Sequence, residues 1–107
     1  MHIGDLDAVS VASRNTWTAD VRIVAHTRDH VALGETTISG WWSDGTSATC
    51  ITATSGECRI SRSLIPKSTS SLTFSMITLT HPTRTYVPAQ NHSSEGGYIT
   101  AITVKRP

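Results

Sequence analysis

The two cysteines, Cys50 and Cys58, have the most informative spacing in the chain. They lie symmetrically about Thr54 in TCITATSGEC, where Ser55 and Gly56 can supply a tight turn. If the flanking strands pair as a hairpin, the two side chains fall within disulfide distance. A two-ligand metal site or a redox pair is the alternative, but the chain has no CxxC motif and no zinc-finger spacing. We expect a disulfide, and with it a secreted, extracellular or cell-surface location.

Two carboxylates near the N-terminus are candidates for binding a hard cation. Asp5 and Asp7 are two residues apart, so on an extended strand they project to the same side. Calcium takes about six to eight oxygen ligands. Further ligands would have to come from Asp29, Asn91 or Glu95. We expect solvated surface carboxylates, no metal site and no cofactor, with calcium as the alternative.

The pair His26 and His30 in HTRDH raises the question of a zinc site. Side chains four residues apart converge on a helix, but this segment is predicted to be the end of a strand followed by a turn. We therefore expect surface histidines rather than metal ligands.

A catalytic Ser-His-Asp triad is a further possibility that the sequence does not favour. His81 or His92 could be its base, but no serine stands in a nucleophile context such as GxSxG. Strand faces and turns account for the abundance of serine and threonine. We expect no catalytic residue and no enzymatic activity in this chain.

The three tryptophans are the aromatic residues most able to form a core or a binding surface. Trp17 and Trp42 have the alternation of buried strand positions, whereas Trp41 must point to the opposite face. Trp41, together with Tyr86, is therefore our candidate for contact with a sugar ring or a protein. The alternative is that Trp41 covers a strand edge or meets an adjoining domain.

The elements that position these residues are predicted to be strands throughout. WTADVRIVAHT alternates strictly from Trp17, and no helical period is present. Leu72, Phe74 and Met76 alternate in the most apolar strand, and a change of parity at Ile77 and Leu79 indicates a bulge. An edge strand near Tyr86, a polar loop to Gly97 and a last strand from Tyr98 to Val104 complete about seven strands. This pattern predicts one antiparallel β-sandwich domain spanning residues 1–107.

Length and charge limit the classes of partner. The chain has 107 residues and a formal net charge of +1, and neither sign of charge forms a block. Nucleic acid is therefore an unexpected partner, and no apolar run approaches the roughly 20 residues needed to cross a bilayer.

Several segments together resemble a known family, the bacterial immunoglobulin-like domains of the invasin type. They are WTADVRIVAH, VALGETTISGWWSDG, TCITATSGECRIS and SSLTFSMITLTHPTRTY, and the most specific part runs from Gly40-x-Trp42 to Gly56-x-Cys58. Such domains are appended to secreted bacterial proteins, notably on the C-terminal side of subtilisin-like serine peptidases. The resemblance implies an immunoglobulin-like sandwich that serves as a spacer, a binding module or an adhesin stalk unit, with catalysis elsewhere in the polypeptide.

The resemblance and the residues together predict a non-catalytic accessory module of a larger secreted bacterial protein. Its expected partners are a neighbouring domain of the parent protein and an extracellular protein or polysaccharide. The alternative function is a carbohydrate-binding module that uses Trp41. NHSSEGG has only Glu95 as an acidic ligand where similar domains are richer in aspartate, so the resemblance does not strengthen the case for calcium.

Overall fold

The chain folds as two antiparallel β-sheets that share one core. The computed structural model describes residues 1–87 and 101–107, and these contain strands, turns and no helix. Within these residues the predicted all-β sandwich of about seven strands is confirmed, with seven strands in two sheets. In chain order the strands are β1 (His2–Ala12), β2 (Thr16–His26), β3 (Thr37–Trp42), β4 (Ser47–Ile51), β5 (Glu57–Pro66), β6 (Ser71–Thr80) and β7 (Ile102–Lys105).

The strand order places the fourth strand beside the third. One sheet has the order β1-β2-β5, and the other has the order β4-β3-β6-β7. In a constant-type immunoglobulin sandwich the fourth strand instead extends the sheet of the first, second and fifth. The connection from β4 to β5 therefore crosses from one sheet to the other.

The Cys50–Cys58 disulfide lies at this crossing. Its Cα atoms are 6.0 Å apart, and a tight turn, in which the Gly56 N–H donates to the Ala53 carbonyl (2.8 Å), separates the two cysteines. The predicted bond is confirmed. The two strands that it joins pair with other strands, because Cys50 faces Ile38 on β3 and Cys58 faces Ile23 on β2. The disulfide thus links the two sheets and not neighbouring strands of one sheet.

Alternating apolar residues of both sheets meet in a single core. On β2 the predicted inward residues from Trp17 to Ala25 are all buried, and Trp42 of β3 packs against Phe74 of β6 with ring centroids 5.1 Å apart. The Trp17 indole donates a hydrogen bond to the Thr69 carbonyl (3.1 Å), which satisfies its buried N–H. The core positions predicted for Trp17 and Trp42 are confirmed.

The predicted bulge in β6 is present, but it starts one residue earlier than the sequence pattern indicated. Ser39 of β3 faces Thr78, and Trp41 faces Ser75, so Gly40 alone lies opposite two residues of β6. Met76 has a positive φ of 56° and is 72% exposed, so its predicted alternation with Phe74 was wrong. After a bulge, the alternation of inward and outward side chains along a strand is reversed. In β6 the reversal begins at Met76, and the positions of the apolar residues in the sequence do not show where it begins.

The segment after β6 differs from the prediction. Residues 81–87 contain no strand, so the edge strand expected near Tyr86 does not form there. The segment instead lies beside the start of β1, where the Val87 N–H donates to the Met1 carbonyl (2.9 Å). The proposed loop to Gly97 and the start of the last strand at Tyr98 lie in residues 88–100, outside the described part of the chain.

Candidate functional sites

Trp41 lies on the outer face of the four-stranded sheet, as its strand parity predicted. Its side chain is 49% exposed and lines a shallow groove formed by β3, β4 and β6. Met76 lines the same groove, because the bulge turns its side chain away from the core. The remaining lining residues are small or carry a hydroxyl group: Ser39, Gly40, Ser47, Ala48, Thr49 and Thr78. We call this surface the Trp41 groove.

The turn between β3 and β4 holds the groove in position. The Asp44 carboxylate accepts a hydrogen bond from the Thr46 N–H (3.0 Å) and an ion-paired hydrogen bond from Arg62 Nε (2.8 Å). These interactions lower the pKa of Asp44. The hydrogen bonds from Thr46 are the main cause, and Arg62 lowers the pKa further. Because Arg62 belongs to β5, this ion pair also connects the turn to the opposite sheet.

Tyr86, the second predicted contact residue, does not belong to the Trp41 groove. Its ring is partly buried and packs against the core. Tyr86 directly precedes Val87, whose N–H donates to the Met1 carbonyl. None of the described residues that line the groove comes from the segment of Tyr86. The sequence could not reveal this, because the two aromatic residues are 45 positions apart (86 minus 41) and belong to different elements.

Asp5 and Asp7 do project to one side, as predicted, and there they meet an arginine. Arg22 Nη1 lies 3.3 Å from Asp5 Oδ2 and 2.9 Å from Asp7 Oδ2, and its Nε lies 3.1 Å from a carboxylate oxygen of Glu57. The hydrogen bond with Glu57 is the main reason why the pKa of Arg22 is raised. The guanidinium group supplies the positive charge between these carboxylates, so the geometry gives the calcium alternative no support. The sequence did not identify Arg22 and Glu57 as the residues that accompany these two carboxylates.

Three histidines meet at one end of the three-stranded sheet: His2, from the start of the chain, lies beside His26 and His30. His2 at the start of β1 faces His26 at the end of β2, and His30 follows in the turn after β2. One ring nitrogen of each histidine lies within 4.8 Å of a nitrogen of the other two. The side chain of His2 is buried, that of His26 is half-buried, and that of His30 is exposed. We call these three residues the histidine cluster.

The turn from Thr27 to Val31 presents His30 to the other two rings. The Thr27 N–H donates to the Val31 carbonyl (2.8 Å), the His30 N–H to the Thr27 carbonyl (2.9 Å), and the Val31 N–H to Thr27 Oγ1 (3.2 Å). His30 has a φ of 63°, in the left-handed region where histidine is several-fold enriched among non-glycine residues. The segment is a strand end and a turn, as predicted, yet this turn brings His30 back toward His26. This convergence does not require a helix, and it could not be recognised from the spacing of His26 and His30; His2 was not identified from the sequence.

Of the two histidines considered as the base of a catalytic triad, only His81 lies in the described part of the chain. His81 Nδ1 accepts a hydrogen bond from the Thr83 N–H (3.2 Å) in its own turn. His92, Asn91 and Glu95 lie outside the part of the chain that the structure describes.

Comparison with known proteins adds no relative. No protein-family model matches the chain, and no curated protein or solved structure is significantly similar to it. The resemblance to bacterial immunoglobulin-like domains therefore stays a prediction from the sequence. Among the described residues no helix is long and apolar enough to span a membrane.

Proposed function

We propose that this chain is a non-catalytic accessory module of a larger secreted bacterial protein. In this role it is a spacer or docking domain for a neighbouring domain or an extracellular protein. The observation that carries the proposal is the Cys50–Cys58 bond between the two sheets, because such bonds persist in oxidising compartments and rarely in the cytosol. The sequence resemblance adds the bacterial immunoglobulin-like family, and a parent protein such as a secreted serine peptidase.

The Trp41 groove is the contact surface that best fits this role. An exposed tryptophan beside an exposed methionine combines a rigid aromatic surface with a side chain that adapts to its partner. The backbone of Met76 also adopts a positive φ, which is costly for a residue with a Cβ atom. Strained conformations of this kind cluster at binding and active sites. Both features favour a protein partner at this face.

A carbohydrate-binding module is the second candidate, and the hydroxyl groups around Trp41 favour it. Sugar rings stack their C–H faces on aromatic rings, and their hydroxyls exchange hydrogen bonds with neighbouring polar groups. Ser39, Ser47, Thr49 and Thr78 provide such groups along the groove. Tyr86 does not contribute, because it lies against the core.

Binding to glycan arrays and to insoluble polysaccharides decides between the two candidates. For a carbohydrate-binding module, Trp41→Ala should weaken retention by about tenfold or more, since an aromatic contact is worth about 0.5–1.5 kcal/mol beyond the area it buries. Val11→Ala is the matched control, because Val11 is an exposed apolar residue on the other sheet. No retention of the parent chain on any glycan would eliminate the carbohydrate candidate. Retention that survives Trp41→Ala would move the site away from the groove.

The proposed accessory role predicts two properties that can be measured. The native protein recovered from a secreting host should show no free thiol, and it should not turn over generic ester, peptide or glycoside substrates. Two thiols titrated in the native protein would remove the argument for an oxidising compartment. Turnover that His81→Ala abolishes would show that the chain is an enzyme.

A further inference from the structure

The geometry of the histidine cluster fits a metal ion held by three imidazoles. His2 Nε2 and His30 Nδ1 are 3.3 Å apart. Zinc–nitrogen bonds of about 2.0–2.1 Å at tetrahedral angles place two ligand nitrogens about 3.3 Å apart, and the ring centroids about 5.2 Å apart. The centroids in the cluster are separated by 5.0 Å (His2–His30), 5.7 Å (His2–His26) and 6.0 Å (His26–His30). His2 and His30 therefore already have the spacing of two zinc ligands, and the His26 ring would have to move about 0.5–0.8 Å closer for all three nitrogens to bind one ion.

The backbone around the cluster makes room for the imidazole of His26. β1 has a bulge at Gly4, where the register shifts between Ile3 and Asp5. A Cβ atom at Gly4 would clash with Nδ1 and Cε1 of the His26 ring. The His26 ring therefore packs directly on the glycine backbone, and a side chain at this position would displace it. Gly4 acts as a positioning residue for the cluster.

The chemistry of the ligands selects the class of metal. Three neutral imidazoles suit zinc, copper, nickel or cobalt, whereas calcium and magnesium require oxygen ligands. None of the described carboxylates is a member of the cluster, and Asp5 and Asp7, the acidic residues closest to His2 in sequence, contact Arg22. His2 is 1% exposed, whereas His30 is exposed to solvent. An ion can therefore enter from the side of His30 and keep a fourth position for water.

We propose that His2, His26 and His30 bind a divalent transition-metal ion of the zinc class. The ion joins the start of β1, the end of β2 and the following turn, and so fastens one end of the three-stranded sheet. This site is independent of the Trp41 groove and of the accessory role proposed above.

Isothermal titration of the untagged, chelator-treated full chain with zinc tests the site. We expect one ion per chain with a Kd in the micromolar range or tighter, and no comparable binding of calcium or magnesium. Zinc at about 100 times its Kd should raise the Tm by about 10–20 °C, because binding to the folded state alone stabilises it. No saturable binding of one zinc ion per chain would overturn the proposal.

The decisive variant is His30→Asn, because asparagine also tolerates the left-handed conformation and the side chain is exposed. Losing this ligand should raise the Kd by more than about 100-fold, since losing only an outer-shell partner costs about 10- to 100-fold. His81→Asn is the matched control and should leave the Kd unchanged. Unchanged zinc affinity in His30→Asn would show that the ion binds elsewhere and would overturn the proposal.

Two further measurements separate a ligand role from a structural one. Zinc should shift the imidazole nitrogen resonances of His2, His26 and His30 and leave those of His81 in place, whereas shifts confined to other histidines would refute the assignment. Gly4→Ala should displace the His26 ring and weaken zinc binding while the metal-free chain keeps its fold. If metal-free His30→Asn does not fold, His26→Gln serves as the ligand variant, with the same expected loss of affinity.

Discussion

Trp41 and Trp42 are adjacent residues of the same type, and replacing each with alanine tests the assignment of the two strand faces. Trp42 is 2% exposed and packs against Phe74, whereas Trp41 is 49% exposed. A fully buried tryptophan removes about 150–250 Å² from water, worth about 4–6 kcal/mol at about 25 cal/mol per Å². Core substitutions of this size cost about 3–5 kcal/mol in practice, because the site partly relaxes. We therefore expect Trp42→Ala to cost about 4 kcal/mol.

The cost of Trp41→Ala follows from the part of its surface that is covered. About half of the side chain contacts the sheet, and the denatured chain also buries some apolar area, which leaves an expected cost of about 1–2 kcal/mol. The two variants should therefore differ by about 2–3 kcal/mol. For a domain of this length the difference corresponds to a gap in Tm of about 10–20 °C.

Urea denaturation followed by tryptophan fluorescence and circular dichroism measures both variants against the parent chain. Two-state analysis requires similar m-values in the three proteins. Because total stability for a domain of this size is about 5–15 kcal/mol, Trp42→Phe provides a milder change if Trp42→Ala is largely unfolded. Equal costs, or a larger cost for Trp41→Ala, would show that the inner and outer faces of β3 are assigned the wrong way round.

Three further predictions concern the disulfide, the bulge and the β3–β4 turn. Replacing both Cys50 and Cys58 with alanine should lower stability by about 2–3 kcal/mol, the value for so short a loop, and a melting curve unchanged from the parent would show that the bond contributes nothing. Gly40→Ala should lower the free energy of unfolding, measured by urea denaturation, by about 1–3 kcal/mol. The added Cβ would lie 2.8 Å from the Ser75 carbonyl oxygen, and a backbone atom cannot move away without strain. Unchanged stability would contradict the strand register at the bulge. Asp44→Asn should destabilise the chain at neutral pH. This difference in stability should vanish as the pH falls through the native pKa of Asp44, because the interactions that lower this pKa stabilise only the ionised carboxylate. A difference in stability that does not change with pH would assign the effect to the geometry of the turn alone.

The predictions that held from the sequence were those that depend on local alternation. The period of two along β2 placed Trp17 and its partners in the core, and the same rule set Trp41 and Trp42 on opposite faces. The short spacing of the cysteines correctly indicated their bond. The parity change in β6 revealed a bulge, although it did not identify Met76 as the exposed residue.

The sheet order and the ion pairs that were missed depend on which strands become neighbours. Strand alternation fixes the face of a side chain but not the partner of its strand, so the sequence could not assign β4 and β5 to different sheets. For the same reason it could not place Arg22 among Asp5, Asp7 and Glu57.

The sequence by itself determined most of the strands, the inward and outward residues of β2 and β3 and the disulfide of this protein, because these follow from the period of the backbone and from short-range chain closure. Only the tertiary structure decided that His2 meets His26 and His30. The antiparallel register of β1 and β2 joins positions 24 residues apart (26 minus 2), and a turn with a left-handed residue adds the third ring. Contacts of this kind depend on long-range hydrogen-bond registers, which no local pattern encodes.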